Sequence, residues 1–184
     1  MSVRLHHRFD VAEYEEMLER GILTEQDRVE LIHGEILQKM TVGDRHAACV
    51  KRLNRILSQS AGDQAIVSIQ DPIRLLDSVP EPDVALLRPR PDFYASAKPA
   101  AGDVLLVIEV ADSSLDFDRE VKLPLYARAG IPEFWLVDLV AGTLELHSDP
   151  YSEGTYGHCD ILSAGGLVAM SLLPGLSFKV SEIL

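Results

Sequence analysis

Apolar and polar positions along the chain change their period several times, and each change marks an element. In DRHAACVKRLNRILSQSAG (44–62), Val50, Leu53, Ile56 and Leu57 recur at helical spacing. This predicts an amphipathic helix closing near Gly62, with His46 beside the apolar stripe. FDVAEYEEMLERG predicts a shorter helix with Asp10 as N-cap, Glu13 in the capping-box position, Gly21 as the stop and its acidic residues on an exposed face. RVELIHGEILQKM alternates about His33-Gly34 and predicts a hairpin, with Glu30 and Ile32 on one face and Val29 and Leu31 on the other.

QAIVSIQDPIRLL, PDVALL and DVLLVIEV are nearly continuous apolar runs rich in β-branched residues, the pattern of strands covered on both faces. LDFDREVKLPLYARAG has helical composition up to Gly130, with Pro124 either near a first turn or at a kink. A helix continuing across Pro124 would set Lys122 and Tyr126 on one face. PEFWLVDLVAGTLELHS predicts a second hairpin turning at Ala141-Gly142, followed by TYGHCDILS and a C-terminal apolar stretch interrupted at Pro174-Gly175. The order of elements predicts one α/β (α+β) domain spanning 1–184, a mixed central sheet flanked by helices with additional β-hairpins.

Composition narrows the class. The 184 residues are 47% hydrophobic, enough for one globular core, and no apolar run approaches the ~20 residues of a membrane-spanning helix. MSVRLHHRFD has no apolar signal segment, so a soluble, cytoplasmic protein is expected. Cys49 and Cys159 lack any disulfide or zinc-ligand spacing and are expected to be small packing residues. A formal charge of −12, from 17 basic and 29 acidic residues, disfavours holding a polyanion by general electrostatics. Any nucleic-acid site must therefore be local. Basic residues gather at KRLNR (51–55), at RPRP (88–91) and at Arg119, Lys122 and Arg128, each equally readable as a solvated face.

Two carboxylates interrupt the apolar strands. Glu109 follows five consecutive apolar residues, and Asp83 stands at the entrance to Val84–Leu87. A period of two places Asp103, Leu105, Val107 and Glu109 on one face and is expected to carry Glu109 out of the core at the strand end. A carboxylate there must be paired, hydrated or bound to metal. If the two strands are neighbours, Asp83, Glu109 and a backbone carbonyl, that of Val110, make a site suited to Mg²⁺ or Mn²⁺, with Lys122 as the nearby cation. Such an ion suits phosphodiester hydrolysis.

RVELIHGEI, GDRH, PEPDVALL, LLVIEVADSSLDFDREVKLPLYARAGIPEFWLVD and LLPGLSFKVSEIL resemble the Uma-two family of endonucleases, within the PD-(D/E)XK restriction-endonuclease-like superfamily. The resemblance covers roughly the whole chain and is most specific over 105–138. It implies that Asp83 and Glu109 are metal ligands and that DNA is the substrate. The superfamily's lysine would fall two positions after Glu109, where this chain has Ala111. The resemblance implies that the lysine has moved to the following helix as Lys122, with Glu30 and His46 approaching the same cleft.

Blander readings stand beside these. Glu30 could pair with Lys39 across its hairpin, His46 could be a core-edge histidine, and Tyr126 and Trp135 are expected to be core or interface aromatics rather than base-stacking platforms. A non-catalytic nucleic-acid or protein interaction module on the same fold is the alternative to an enzyme. A glycosidase-type carboxylate pair fits poorly with 6% aromatic residues. A homodimer is expected from the need to cut two strands, with the hairpin carrying Phe134 and Trp135 as the first candidate contact surface and a core role equally compatible.

Overall fold

The computed structural model describes residues 6–170, 172–173 and 175–184. Residues 1–5 of the expected domain and Pro174 of the expected interruption lie outside those described. Helix α1, Val11–Glu19, begins at Asp10, which accepts from the Glu13 amide while the Glu13 side chain accepts from the Asp10 amide, the expected capping box. Hairpin β1–β2, Val29–Ile32 with Glu35–Gln38, turns at His33 and Gly34, whose φ values of 51° and 78° are those of a primed turn. Helix α2, Asp44–Ala61, buries the predicted stripe.

Among the described residues, six strands form the main sheet in the order β3, Ile66–Ile69; β4, Val84–Leu87; β5, Val104–Ala111; β6, Glu133–Asp138; β7, Thr143–Tyr151; and β8, Thr155–Ser163. The pairings are antiparallel except β5 with β6, which are parallel and joined by a helical crossover. The chain ends in a small hairpin, β9, Leu167–Ala169, with β10, Ser177–Lys179. The mixed sheet with flanking helices and extra hairpins is the expected α/β architecture.

Helix α2 and the C-terminal hairpin cover one face, where Leu53 and Leu57 meet Leu106, Ile108, Trp135 and Phe178. The crossover covers the other, where Leu125 and Tyr126 meet Val107 and Phe134. Phe134 and Trp135 are thus 0% and 1% exposed, and the surface expected to serve dimer contacts is core. The reason is position: β6 is an interior strand, so its alternate side chains enter opposite cores. Cys49 is the expected packing residue, but Cys159 is exposed on β8, whose outer position leaves it uncovered.

Two further expectations change along β5. Leu105 joins Leu106, Ile108 and Val110 on the α2 face instead of sharing a face with Val107 and Glu109. Leu86 pairs with Leu106 and Leu87 with Val104, so Leu105 is the extra residue of a bulge and the period of two begins only after it. Glu109 does not leave the core either, being 3% exposed, because the crossover returns over the strand end and covers it.

The crossover answers the question posed by Pro124. It runs as α3, Leu115–Phe117, then a π-helical turn, Asp118–Lys122, then α4, Leu123–Arg128, with Pro124 in the first turn of α4. The Leu123 amide reaches back to the Asp118 carbonyl, a five-residue span. Proline cannot donate to the helix and crowds the carbonyl four residues before it, and the widened turn accommodates both.

The β1–β2 turn also supports the site, because it fixes the strand that carries Glu30. A Cβ added at Gly34 would lie 2.9 Å from Arg8 Cβ and 3.0 Å from the Phe9 carbonyl oxygen, at a backbone conformation that side chains rarely adopt. Gly34→Ala is expected to lower stability by more than about 1 kcal/mol, read as a shift in the urea midpoint. An unchanged midpoint would mean the turn relaxes freely.

Candidate active site

Glu30, His46, Asp83, Glu109, Val110 and Lys122 all line one cleft of about 810 Å³. The β1–β2 hairpin, the start of α2, the adjoining ends of β4 and β5, and the π turn form its walls. The strands β4 and β5 are neighbours, the condition on which the two carboxylates were expected to converge, and they bring Asp83 and Glu109 together. The Asp83 amide donates to Glu109 Oε2 at 3.4 Å, and Asp83 Oδ2 accepts from the Val110 amide at 2.9 Å. In an extended strand a residue's N–H and C=O point to the same edge, so the Val110 carbonyl leaves β5 on the side of Asp83.

Among the lysine and arginine side chains that line this cleft, Lys122 is the buried one, at the carboxylate pair. Its Nζ donates to Glu109 Oε1 at 3.0 Å and lies 3.5 Å from Glu30 Oε2. Tyr126, one helical turn on, donates its hydroxyl to the same Glu109 Oε1 at 2.7 Å. The predicted shared face of Lys122 and Tyr126 therefore holds one oxygen of Glu109 and leaves Oε2 turned toward Asp83. Ala111, two positions after Glu109 on β5, is buried among apolar side chains.

His46 belongs to the cleft through Asp83: its Nε2 lies 2.9 Å from Asp83 Oδ2. Its Nδ1 is buried without a hydrogen-bond partner among the described residues. Gln70 Nε2 donates to Asp83 Oδ1 at 3.2 Å. Glu30 does not pair with Lys39, as its hairpin position allowed. Lys39 instead pairs with Glu81, and Glu30 Oε2 accepts from the Glu81 amide at 3.1 Å. The alternation of β1 explains this, because Glu30 and Ile32 point into the domain while Lys39 lies beyond the end of β2.

Asp118 also lines the cleft, though its spacing alone did not mark it as a site residue. It is 3% exposed and accepts from the Ser114 hydroxyl at 2.6 Å. Its position four residues before Lys122 on a helical segment was the available signal. Gln70 carried no such signal, since its contact depends on how β3 lies beside β4.

Glu30, Asp83, Glu109 and Asp118 face Lys122 and His46, leaving an excess of negative charge. Burial drives the Glu109 carboxyl well above the usual range, with Lys122 pulling it down and Asp83, Asp118 and Glu30 adding to the rise. Burial likewise pushes Asp118 up to about 6, against the pull of Lys122 and Ser114. Burial alone would neutralise Lys122, but Glu109, Glu30 and Asp118 more than offset it and hold the ammonium charged. Burial also opposes the charging of His46, and its bond to Asp83 outweighs this, giving a net rise.

These residues fit a hard divalent cation. Both candidate ligands are carboxylates, the remaining donor is a carbonyl, and the surrounding charge is negative. Among the described residues the cleft holds no group of three acidic, His or Cys side chains whose ligand atoms all converge. Two carboxylates with water completing the shell is the usual habit of Mg²⁺.

The other basic groups are mostly committed elsewhere. Arg90 pairs with Asp92 and lies over the Tyr94 ring, Arg88 donates to the Gly102 carbonyl, and Arg119 pairs with Glu145. Lys51, Arg52 and Arg55 are exposed on α2. Among the described residues no helix is long and apolar enough to cross a membrane.

Comparison with known proteins places this geometry in context. Residues 11–181 match the model of the family Uma2, described as "Putative restriction endonuclease". Among solved structures, a protein from Anabaena variabilis described as a "putative nuclease belonging to DUF820" superposes with a TM-score of 0.73. It is 16% identical, and the match covers 95% of this chain and 97% of that one, which establishes the shared fold. No curated protein sequence matches the chain.

Proposed function

The chain belongs to the Uma2 family, and from that membership we propose that it is a metal-dependent endonuclease hydrolysing DNA phosphodiester bonds in the cleft between β5 and the π turn. The observation that carries this reading is the position of Lys122, whose ammonium reaches Glu109 from the crossover although the strand position itself is Ala111. A relocated lysine at 3.0 Å supports the same division of labour as one on the strand.

Asp83 and Glu109 would hold Mg²⁺ or Mn²⁺, with the Val110 carbonyl as the backbone donor. When bound, the ion supplies Lewis-acid charge neutralisation for phosphodiester hydrolysis. Lys122, held cationic among carboxylates, acts as an electrostatic stabiliser of charge developing on the phosphate rather than as a proton acceptor. Tyr126 fixes Glu109 Oε1 from the buried side. Glu30 holds Lys122 from the opposite side, and His46 positions Asp83 through Oδ2. The excess of carboxylates makes the cleft by itself repel a bare phosphate.

The test is incubation of the purified chain with supercoiled plasmid and with single-stranded DNA, with and without Mg²⁺ or Mn²⁺. Nicking or linearisation that needs the ion and stops with EDTA is expected. Absence of cleavage with either ion would overturn the enzymatic reading in favour of the interaction module.

A further inference from the structure

A second group of ligand-type side chains lies on the sheet outside the cleft. Glu145 and His147 are two residues apart on β7 and so share a face, and Cys159 on β8 is directly paired with His147. His147 Nε2 lies 3.1 Å from Glu145 Oε2 and 3.9 Å from Cys159 Sγ, and the three ligand atoms are all within 4.8 Å of one another. A tetrahedral ion with bonds of about 2.0 to 2.3 Å holds its ligands roughly 3.4 to 3.6 Å apart, so closure requires only a small side-chain adjustment.

The surroundings orient these groups. The Arg119 guanidinium takes the other Glu145 oxygen, Oε1, with Nε at 3.1 Å, which leaves Oε2 directed at His147. Phe134 and Tyr156 pack on the imidazole with centroids at 5.8 and 5.9 Å. Glu145 and His147 are buried while Cys159 is exposed, leaving one side open to solvent.

We propose that Glu145, His147 and Cys159 form a second metal site, selective for a borderline-soft transition ion such as Zn²⁺, with water in the fourth position. Carboxylate, imidazole and thiolate together suit Zn²⁺, whereas the all-oxygen cleft suits Mg²⁺. The Cys159 thiol gives its proton to solvent as the sulfur–metal bond forms. The ion would tie β7 to β8 and, through Arg119, engage the same π turn that presents Lys122 to the cleft. This inference does not depend on the nuclease reading, because binding can be read without any substrate.

The probe is Co²⁺ added to the metal-free full chain, followed by absorbance, with Zn²⁺ as competitor. A thiolate-to-cobalt charge-transfer band saturating at one equivalent and displaced by Zn²⁺ is expected. The band should vanish in Cys159→Ser, whose side chain is exposed and whose fold circular dichroism can check, and persist in Cys49→Ala. His147→Ala should weaken Zn²⁺ binding at least about tenfold. No band in the parent protein, or a band that survives Cys159→Ser, would overturn the proposal.

Discussion

Asp83→Asn and Glu109→Gln are each expected to lower DNA cleavage at least about 10³-fold, because each removes one of two anionic ligands from an ion asked to supply several kcal/mol to the transition state. The two variants should differ in their side effects. The carboxamide introduced by Asp83→Asn can still accept from the Val110 amide through its own carbonyl oxygen, so this variant should fold like the parent. Glu109→Gln leaves the buried Lys122 facing only Glu30 and Asp118, and stability should fall as well. Excess Mn²⁺ should partly restore cleavage in either. Rates within tenfold of the parent, measured on plasmid at saturating ion, would place the ligands elsewhere.

Lys122→Ala is expected to lower turnover by roughly 10²-fold or more, since it removes a cation that acts mainly on charge appearing in the transition state. Metal binding should not weaken, because Lys122 holds Glu109 Oε1 while the ion is expected at Oε2, and removing the ammonium removes a repelling charge. The metal-free variant should also lose about 3 to 5 kcal/mol of stability, as Glu109, Glu30 and Asp118 are left buried without their cation. Lys122→Met, which keeps the volume, separates the two effects: it should fold better than the alanine variant yet cleave as slowly. Parent-like cleavage by Lys122→Ala would remove the relocated lysine from the mechanism.

Much of this site was legible in the sequence because local periodicity determines which way a side chain points. The alternation of β1 set Glu30 with Ile32, the helical stripe set His46 beside Val50, and the four-residue spacing set Lys122 with Tyr126. The convergence of Asp83 and Glu109 needed one further assumption, that their strands are neighbours, and the sheet order supplies it.

What escaped the sequence depends on contacts between distant segments. The bulge at Leu105 reflects the fit of β5 to β4, and no local pattern marks it. The burial of Glu109 comes from the crossover folding back over the strand end, and the π turn reconciles Pro124 with a helix already committed on both sides. The pairing of Lys39 with Glu81 joins a hairpin end to the loop before β4. Phe134 and Trp135 suit core and surface equally by sequence, and only the interior position of β6 in the sheet decides for the core. The alignment of Glu145, His147 and Cys159 likewise appears only in the register of β7 with β8.

The most direct measurement of the central claim is an anomalous difference map from crystals of this protein soaked in Mn²⁺. The account predicts a peak between Asp83 and Glu109 Oε2, with Lys122 and Tyr126 still holding Oε1. A soak that places Mn²⁺ elsewhere and leaves the Asp83–Glu109 pair without density would contradict it.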